Sequence, residues 1–379
     1  MTQFHSKINT DHTKTAPKQE KPRILVAPLD WGLGHATRCI PVIRELRQQG
    51  ADVWMAAEKA QAAILKEAFP DLPLLPLFGY QVEYARTRTG LAWKMITQTP
   101  RLLHTISEEK RWLKKTINEY HFDAVISDNR YGLHHPSLPC IFITHQLWIE
   151  TPFGERAGRL LQRLNYRYIN RFSQCWVPDD AGKQNLAGRL SHPEKMPAVP
   201  VTFTGPLTRL DNLTIPTIKN HLLILLSGPE PQRSILEEKM IGELAQYNGT
   251  ATMVRGLPGN AGLLPSTNQL HFYNHLPAAQ LNEEIHKADI IICRSGYSSI
   301  MDLIRMQKKL ILVPTPGQTE QEYLGHLHQE MKTAICISQS SFSLANALQA
   351  AAAFPFQPFS GSGSGSLSAA IQQLLTSLS

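Results

Sequence analysis

Cysteine is scarce in this 379-residue chain. Cys39, Cys140, Cys175, Cys293 and Cys336 are dispersed, with no Cys-x-x-Cys pair. An odd, scattered set supplies neither a disulfide framework nor a zinc site, and it fits a reducing compartment, so a cytoplasmic protein is expected. No apolar run approaches the roughly 20 residues needed to cross a bilayer, which speaks against a transmembrane protein. The first 20 residues lack the apolar centre of a secretory signal and read as a disordered tail. Asp-x-Asp occurs nowhere, which weakens any mechanism that holds a divalent ion on a nucleotide diphosphate through carboxylates. No metal and no cofactor are expected. Aromatic residues do not alternate with basic ones as base-stacking platforms would, so nucleic acid is not an expected partner.

What the chain does have is an uneven charge. Residues 21–198 hold 24 Lys/Arg against 17 Asp/Glu, whereas residues 199–379 hold 11 against 12. Two stretches carry much of the excess, Arg86 to Lys115 and Arg156 to Arg171. In the second, Arg156, Arg159, Arg163, Arg167 and Arg171 recur every three or four residues and make one helix face basic. Such a stripe is either a solvated surface or an attraction to an anionic partner, and contact with an anionic membrane surface is expected of the second case.

The length suggests two or three domains. Short apolar runs alternate with longer amphipathic ones, the pattern of a parallel α/β architecture. Strand-like runs are 23–28, 51–56, 123–127, 140–144 and 175–178, with helix-like segments at 36–49, 58–69 and 157–172 between them. A second series of runs lies at 221–227, 250–255, 269–272, 289–293 and 310–314. Each series fits its own doubly wound sheet, because parallel strands need helical crossovers and bury both faces. The expected order is an N-terminal domain at 21–204, a Pro- and Thr-rich linker at 205–216 and a second domain at 217–354. A flexible Gly/Ser segment and a short helix at 355–379 complete it.

In open α/β sheets ligands gather where strands end. After the first strand comes Asp30-Trp-Gly-Leu-Gly-His-Ala-Thr-Arg38. Gly32 and Gly34 allow a tight turn and close approach to a ligand, and the helix that follows offers unpaired N–H groups to a phosphate or oxyanion. The third glycine of the dinucleotide fingerprint is missing, so NAD is not expected. His35 at this helix start reads as a neutral base or as a packing group. Arg38 suits an anionic substrate or a surface carboxylate. Asp128 ends another strand and is a candidate base or a helix cap. His145 and Gln146 end a third and offer hydrogen bonds to sugar hydroxyls, or tether a loop. Asp179-Asp180 reads as a cap more than as a metal pair.

The densest signal runs from Ala288 to His326. A strand leads through Arg294-Ser295-Gly296 into a helix near Ser298, another phosphate-binding arrangement. Asp302, one turn in, suits a ribose diol. The loop beyond the next strand carries Gln318, Gln321 and Glu322, groups suited to sugar hydroxyls, and Arg233 could neutralise a diphosphate.

The run Cys293-Arg-Ser-Gly296, the acidic residue on the next helix, the Val-Pro strand end and the Gln-containing loop closely resemble glycosyltransferase family 28, with the GT-B fold. The loop Gly32-Leu-Gly-His35 and the connector Thr204-Gly-Pro206 are similar to that family's as well, and the resemblance covers most of residues 23–350. It implies two Rossmann-like doubly wound domains facing a cleft. It also implies Asp302 at a ribose, the Leu276 main chain at uracil, Arg233, Ser295 and Gly296 at the diphosphate, and Gln321 and Glu322 at the sugar. The family usually has Glu where Asp302 stands and a Gln-Gln pair where Gln321-Glu322 stands, so the donor sugar does not carry over. The expected activity is inverting, metal-independent transfer from a nucleotide-sugar, UDP-linked, to an unidentified acceptor, with lipid and envelope acceptors among those allowed. His35 or Asp128 would be the base. A nucleotide-sugar hydrolase and a catalytically silent binding protein are the alternatives.

Overall fold

The structure, a computed structural model, describes residues 21–79, 88–258, 262–361 and 365–378. The expected N-terminal tail and the beginning of the basic stretch from Arg86 lie outside the described residues. Two parallel sheets form two lobes.

In the N-terminal lobe the strands are β1 (Arg23–Pro28), β2 (Asp52–Ala56), β3 (Leu74–Leu75), β4 (Ala124–Asp128), β5 (Cys140–Ile143), β6 (Gln174–Val177) and β7 (Val201–Phe203). They lie in the order β3-β2-β1-β4-β5-β6-β7. The crossovers are α1 (Leu33–Gln48), α2 (Lys59–Ala68), α3 (Arg88–Tyr120) and α4 (Gly154–Ile169). In the C-terminal lobe β8 (His221–Leu225), β9 (Thr250–Val254), β10 (Leu270–Tyr273), β11 (Ile290–Cys293), β12 (Lys309–Leu312) and β13 (Ala334–Cys336) lie in the order β10-β9-β8-β11-β12-β13. Here the helices are α5 (Gln232–Leu244), α6 (Ala278–Lys287), α7 (Tyr297–Leu303), α8 (Thr319–Glu330) and α9 (Leu344–Ala353), and a last helix, α10 (Leu367–Leu378), follows the lobe.

The strand cores follow from composition. Runs such as Ile24-Leu-Val-Ala27 and Ala124-Val-Ile126 are apolar at every position and buried on both faces, as helices on both sides of a sheet require. In each sheet the strand order reverses once, between β1 and β4 and between β8 and β11, and at such a switch point the loops diverge and leave a crevice. Pro28 pairs with Asp128 at the first, so the loop that carries His35 starts beside Asp128.

The lobes are not independent bodies. One continuous apolar cluster runs from Ile24 and Val26 through α1 to Ile300 and Met301 of α7 and on to Ile291 and Leu310. The connection between β7 and β8 has no regular structure from Thr204 to Ile218. Sequence reasoning assigns the terminal helix no partner. In the structure Ala370, Ile371 and Leu374 of α10 are buried, and Gln49 at the end of α1 donates to the Ser368 main chain at 2.9 Å. The chain therefore ends on the N-terminal lobe. The segment after Asp180, read as a helix start, is irregular up to a short 3-10 turn at Gly188–Leu190. Asp179 still satisfies main-chain donors there, accepting from Leu186 at 2.8 Å and Ala187 at 3.0 Å.

Candidate active site

Gly32 has φ +75, the left-handed region that disfavours side chains, and it turns the chain from β1 into α1. His35 and Arg38 sit one helical turn apart and point back at Asp128. The Asp128 carboxylate is wholly buried; its Oδ2 accepts from Arg38 Nε at 2.8 Å, and Arg38 Nη2 donates to Oδ1. Burial alone would raise the Asp128 pKa, but Arg38 and His35 outweigh it and hold this carboxyl below the usual range. It is ionised at neutral pH.

His35 Nδ1 lies 3.0 Å from Asp128 Oδ2 and 2.8 Å from Arg38 Nη2. The carboxylate can only accept a proton and the guanidinium can only give one, so the two neighbours favour opposite tautomers. Burial and then Arg38 lower the His35 pKa, and Asp128 offsets them in part. The imidazole is neutral at physiological pH. With Nδ1–H given to Asp128, its Nε2 is a free base.

A second layer crosses the cleft. Arg38 Nη1 stands 3.3 Å from His145 Nδ1, and His145 Nε2 lies 2.8 Å from Glu320 Oε1 on α8. Gln146 donates to the other Glu320 oxygen. The Tyr297 ring stacks on His145 at 4.0 Å and 9°, and its hydroxyl donates to the Pro178 carbonyl at 2.5 Å. Sequence reasoning passed over Glu320 and Tyr297. Their signal was weak: Glu320 sits in the same first turn as Gln321, and which of the two faces the other lobe depends on how α8 docks.

The second switch point holds the other predicted residues. Arg294 is buried, and its Nη groups donate to Val313 and Pro314 carbonyls at 3.1 and 3.3 Å and to Gln232 O at 2.7 Å. It therefore ties the three loops at this end of the sheet together. With no carboxylate beside it, burial lowers its pKa to about 10. The Ser295 hydroxyl donates to Gln321 O at 2.7 Å, and Gln321 Oε1 accepts from Thr315 N at 2.8 Å. Glu322 Oε1 accepts from Gly317 N at 3.2 Å, and Gln318 is the cap residue of α8. These groups shape the loop at the strand end. Gly296 has nothing within 4 Å of where a Cβ would stand, so its main chain borders open space.

Asp302 is half-buried beside Thr208 and Arg209 of the connector. Burial pushes it up to about 6, with the Thr208 hydrogen bond and Arg209 acting against that rise. Leu276 is buried in the loop after β10, next to His275, whose Nε2 lies 3.5 Å from Glu67 of α2.

One expectation needs correcting. Arg233 does not stand free for a diphosphate: its Nε and Nη1 donate to Glu230 and Glu237 at 2.6 Å each. Glu237 also takes Arg255, so the arginine is held inside a charge network of its own lobe. An i,i+4 Glu on the same helix was the legible signal.

The two switch points meet face to face. A Cβ on Gly34 would run into the Ser298 side chain, so the first turns of α1 and α7 touch. Among the described residues no group of three or more His, Cys, Asp or Glu side chains is arranged to hold a metal ion. Residues 258–364 match the model of the glycosyltransferase family 28 C-terminal domain. Over this stretch the chain is similar to the family 28 glycosyltransferases. An uncharacterized glycosyltransferase of Methanosarcina acetivorans is 22% identical over 332 residues, 79% of this chain and 81% of that protein. The UDP-N-acetylglucosamine–N-acetylmuramyl-(pentapeptide) pyrophosphoryl-undecaprenol N-acetylglucosamine transferase of Haemophilus ducreyi is 20% identical over 327 residues, 83% of this chain and 85% of that one. Among solved structures, the glycotransferase of kitacinnamycin aligns with a TM-score of 0.61 at 16% identity, over 94% of this chain and 96% of that chain. MurG of Acinetobacter baumannii aligns with a TM-score of 0.53 at 15% identity, over 95% and 99%. These likenesses establish the GT-B fold, and with the family 28 domain they make the protein a glycosyltransferase.

Proposed function

We propose that this family 28 glycosyltransferase transfers a sugar from a UDP-linked donor, with inversion and without a metal, to an acceptor hydroxyl presented by the N-terminal lobe. UDP as the carrier rests on the name of the Haemophilus ducreyi relative and on Asp302, a carboxylate suited to a ribose diol at the α7 end of the cleft. The donor would lie along the loops after β8 and β11, with the open main chain at Gly296 toward its diphosphate.

His35 Nε2 removes the acceptor proton. As that oxygen bonds to the anomeric carbon, the bond from this carbon to the diphosphate oxygen breaks, and the departing pair of electrons leaves on UDP. The new bond forms on the face opposite the leaving group, hence inversion. Charge building on the diphosphate meets main-chain N–H groups at the α7 and α8 starts, which act as fixed dipoles in place of a cation. Asp128 holds Nδ1–H of His35 and stabilises the imidazolium that forms.

One observation carries this reading: the pair of part-buried His35 and buried Asp128 lies on the N-terminal lobe against the β11–α7 turn, with α1 and α7 in contact. Its test is product analysis with a panel of UDP-sugars and candidate acceptors. A glycosylated acceptor of inverted configuration is expected, and His35→Ala should abolish it. Free sugar as the sole product with every acceptor would replace transfer by hydrolysis, and donor binding without any turnover would make the chain a binding protein.

A further inference from the structure

The layer behind the base is shared between the lobes, and one member of it has no part in the chemistry given above. Glu320 lies in the first turn of α8. The next residue, Gln321, turns its side chain into its own lobe, where Oε1 accepts from Thr315 N. Glu320, about 100° round the helix, faces the N-terminal lobe instead. There its Oε1 lies 2.8 Å from His145 Nε2, and its Oε2 accepts from the Gln146 amide. Both partners lie just past β5. Burial acts to raise the Glu320 pKa, but His145 first, and His35 and Arg38 after it, outweigh that and hold the carboxyl below the usual range. It is ionised at neutral pH. A second contact from the same lobe is the Tyr297 ring, stacked on His145 at 4.0 Å. The plane of this imidazole and its partner at Nε2 are thus both set from across the cleft.

A carboxylate only accepts, so the proton of His145 sits on Nε2. Its Nδ1 then presents a lone pair to Arg38 Nη1, 3.3 Å away. A proton on Nδ1 would set donor against donor there. The guanidinium would be pushed from that side toward His35, whose Nδ1 already lies 2.8 Å from Arg38 Nη2. That nitrogen is contested, because Asp128 Oδ2, at 3.0 Å, draws a proton onto it while Arg38 draws its lone pair. The outcome decides which nitrogen of His35 can take a proton from a substrate. With the proton on Nδ1, Nε2 is a base; with the proton on Nε2, that nitrogen accepts nothing.

Taking His35 as the base proposed above, we infer that Glu320 is a positioning residue: through His145 and Arg38 it holds His35 in the tautomer that accepts a proton. Glu320 fixes Nε2–H on His145, the His145 lone pair fixes Arg38, and Arg38 so fixed leaves His35 Nδ1 to Asp128. Glu320 belongs to the C-terminal lobe and the residues it acts on belong to the N-terminal one. The base is therefore complete only where the lobes meet. An acceptor hydroxyl, or a water, bound to the N-terminal lobe alone meets a histidine whose basic nitrogen is not fixed, and removal of its proton waits for the donor lobe.

Nitrogen-15 spectra of the histidine-labelled full chain test this without donor or acceptor. The signals of His35 are those that His35→Gln removes. In the wild type its Nδ1 should be of the protonated, pyrrole type and its Nε2 of the bare, pyridine type. Glu320→Ala should move Nδ1 toward the pyridine type and Nε2 toward the pyrrole type. Glu320→Gln, which keeps a weaker acceptor, should fall between. His145→Phe keeps a ring against Tyr297 but has no lone pair; it should give the Glu320→Ala result, and it replaces that variant where the latter does not fold. Tyr323→Phe removes a different contact of α8 with the N-terminal lobe, the hydroxyl that accepts from Arg189 N at 2.9 Å, and should leave His35 as in the wild type. Where transfer is measured, Glu320→Ala should lower kcat roughly tenfold or more, with UDP bound no more weakly. His35 signals unchanged in Glu320→Ala, or moved as far by Tyr323→Phe, overturn the role of Glu320 and leave transfer standing. A wild-type His35 that carries its proton on Nε2 overturns it together with the choice of base. The predicted shift of tautomer in a chain that transfers no sugar would keep this role and remove the proposed reaction.

Discussion

In the proposed mechanism His35 is the base, and its environment sets the pH at which it would work. Burial and Arg38 depress its pKa, so the neutral base persists to lower pH than an ordinary imidazole of about 6.5 allows. The acid limb of kcat/KM should therefore fall below that value. His35→Ala should lower kcat by roughly 10²–10⁴. Asp128→Asn should do similar damage for a different reason: the amide can no longer select Nδ1–H, and Arg38 then pulls the ring toward the other tautomer. It also leaves Arg38 buried without its anion, at a cost of about 3–5 kcal/mol, so rates must be read at a temperature where the variant is folded. Asp302 gives an independent handle. With a pKa near 6 it is protonated below that pH. If the ionised carboxylate accepts from a ribose diol, UDP affinity by calorimetry rises with pH through about 6, and Asp302→Asn loses that dependence.

At the level of elements, α8 joins the lobes alongside α7. Thr319, Glu320, Tyr323 and His328 all reach the N-terminal lobe, and the His328 Nε2–H donates to Leu186 O at 2.9 Å. Burial lowers the His328 pKa to about 4. An unfolded chain takes up that proton near 6.5, so this residue's contribution is intact at neutral pH and is lost as pH falls from about 6.5 to 4, on the order of 3 kcal/mol in all. His328→Gln should flatten that stretch of a stability–pH curve from denaturant titrations, and an unchanged slope would remove His328 from the account. Glu320→Gln should loosen the His145 contact and lower the thermal midpoint without unfolding either lobe.

The strands and most crossovers were legible because each buried strand is a continuous apolar run between turn residues. So were the switch-point residues His35, Asp128 and Arg294, since strand ends place them. The two-residue strand Leu74–Leu75 and the strands Val201–Phe203 and Ala334–Cys336 are too short for a period to show. The role of α10 was hidden because its partner, α1, lies more than 300 residues away in the chain. Glu320 and Arg233 show the same limit from opposite sides. Spacing reveals which residues reach a strand end, but only packing decides which carboxylate each cation meets.

For the whole molecule, the claim is that two lobes close over the reacting groups. Their shared core and the Gly34–Ser298 contact describe a closed arrangement, which the proposed mechanism would use to keep water from the reacting groups. Gly34→Ala places a methyl group against Ser298 and should hold the lobes apart. Small-angle scattering should then show a larger radius of gyration, with kcat reduced more than UDP affinity. A variant as compact and as active as the wild type would show that α1 and α7 need not meet. The most direct test of the account is a crystal structure with UDP. It predicts the diphosphate at the Arg294–Ser298 turn and the ribose on Asp302, across the cleft from His35; a nucleotide bound elsewhere, or away from Asp302, would contradict it.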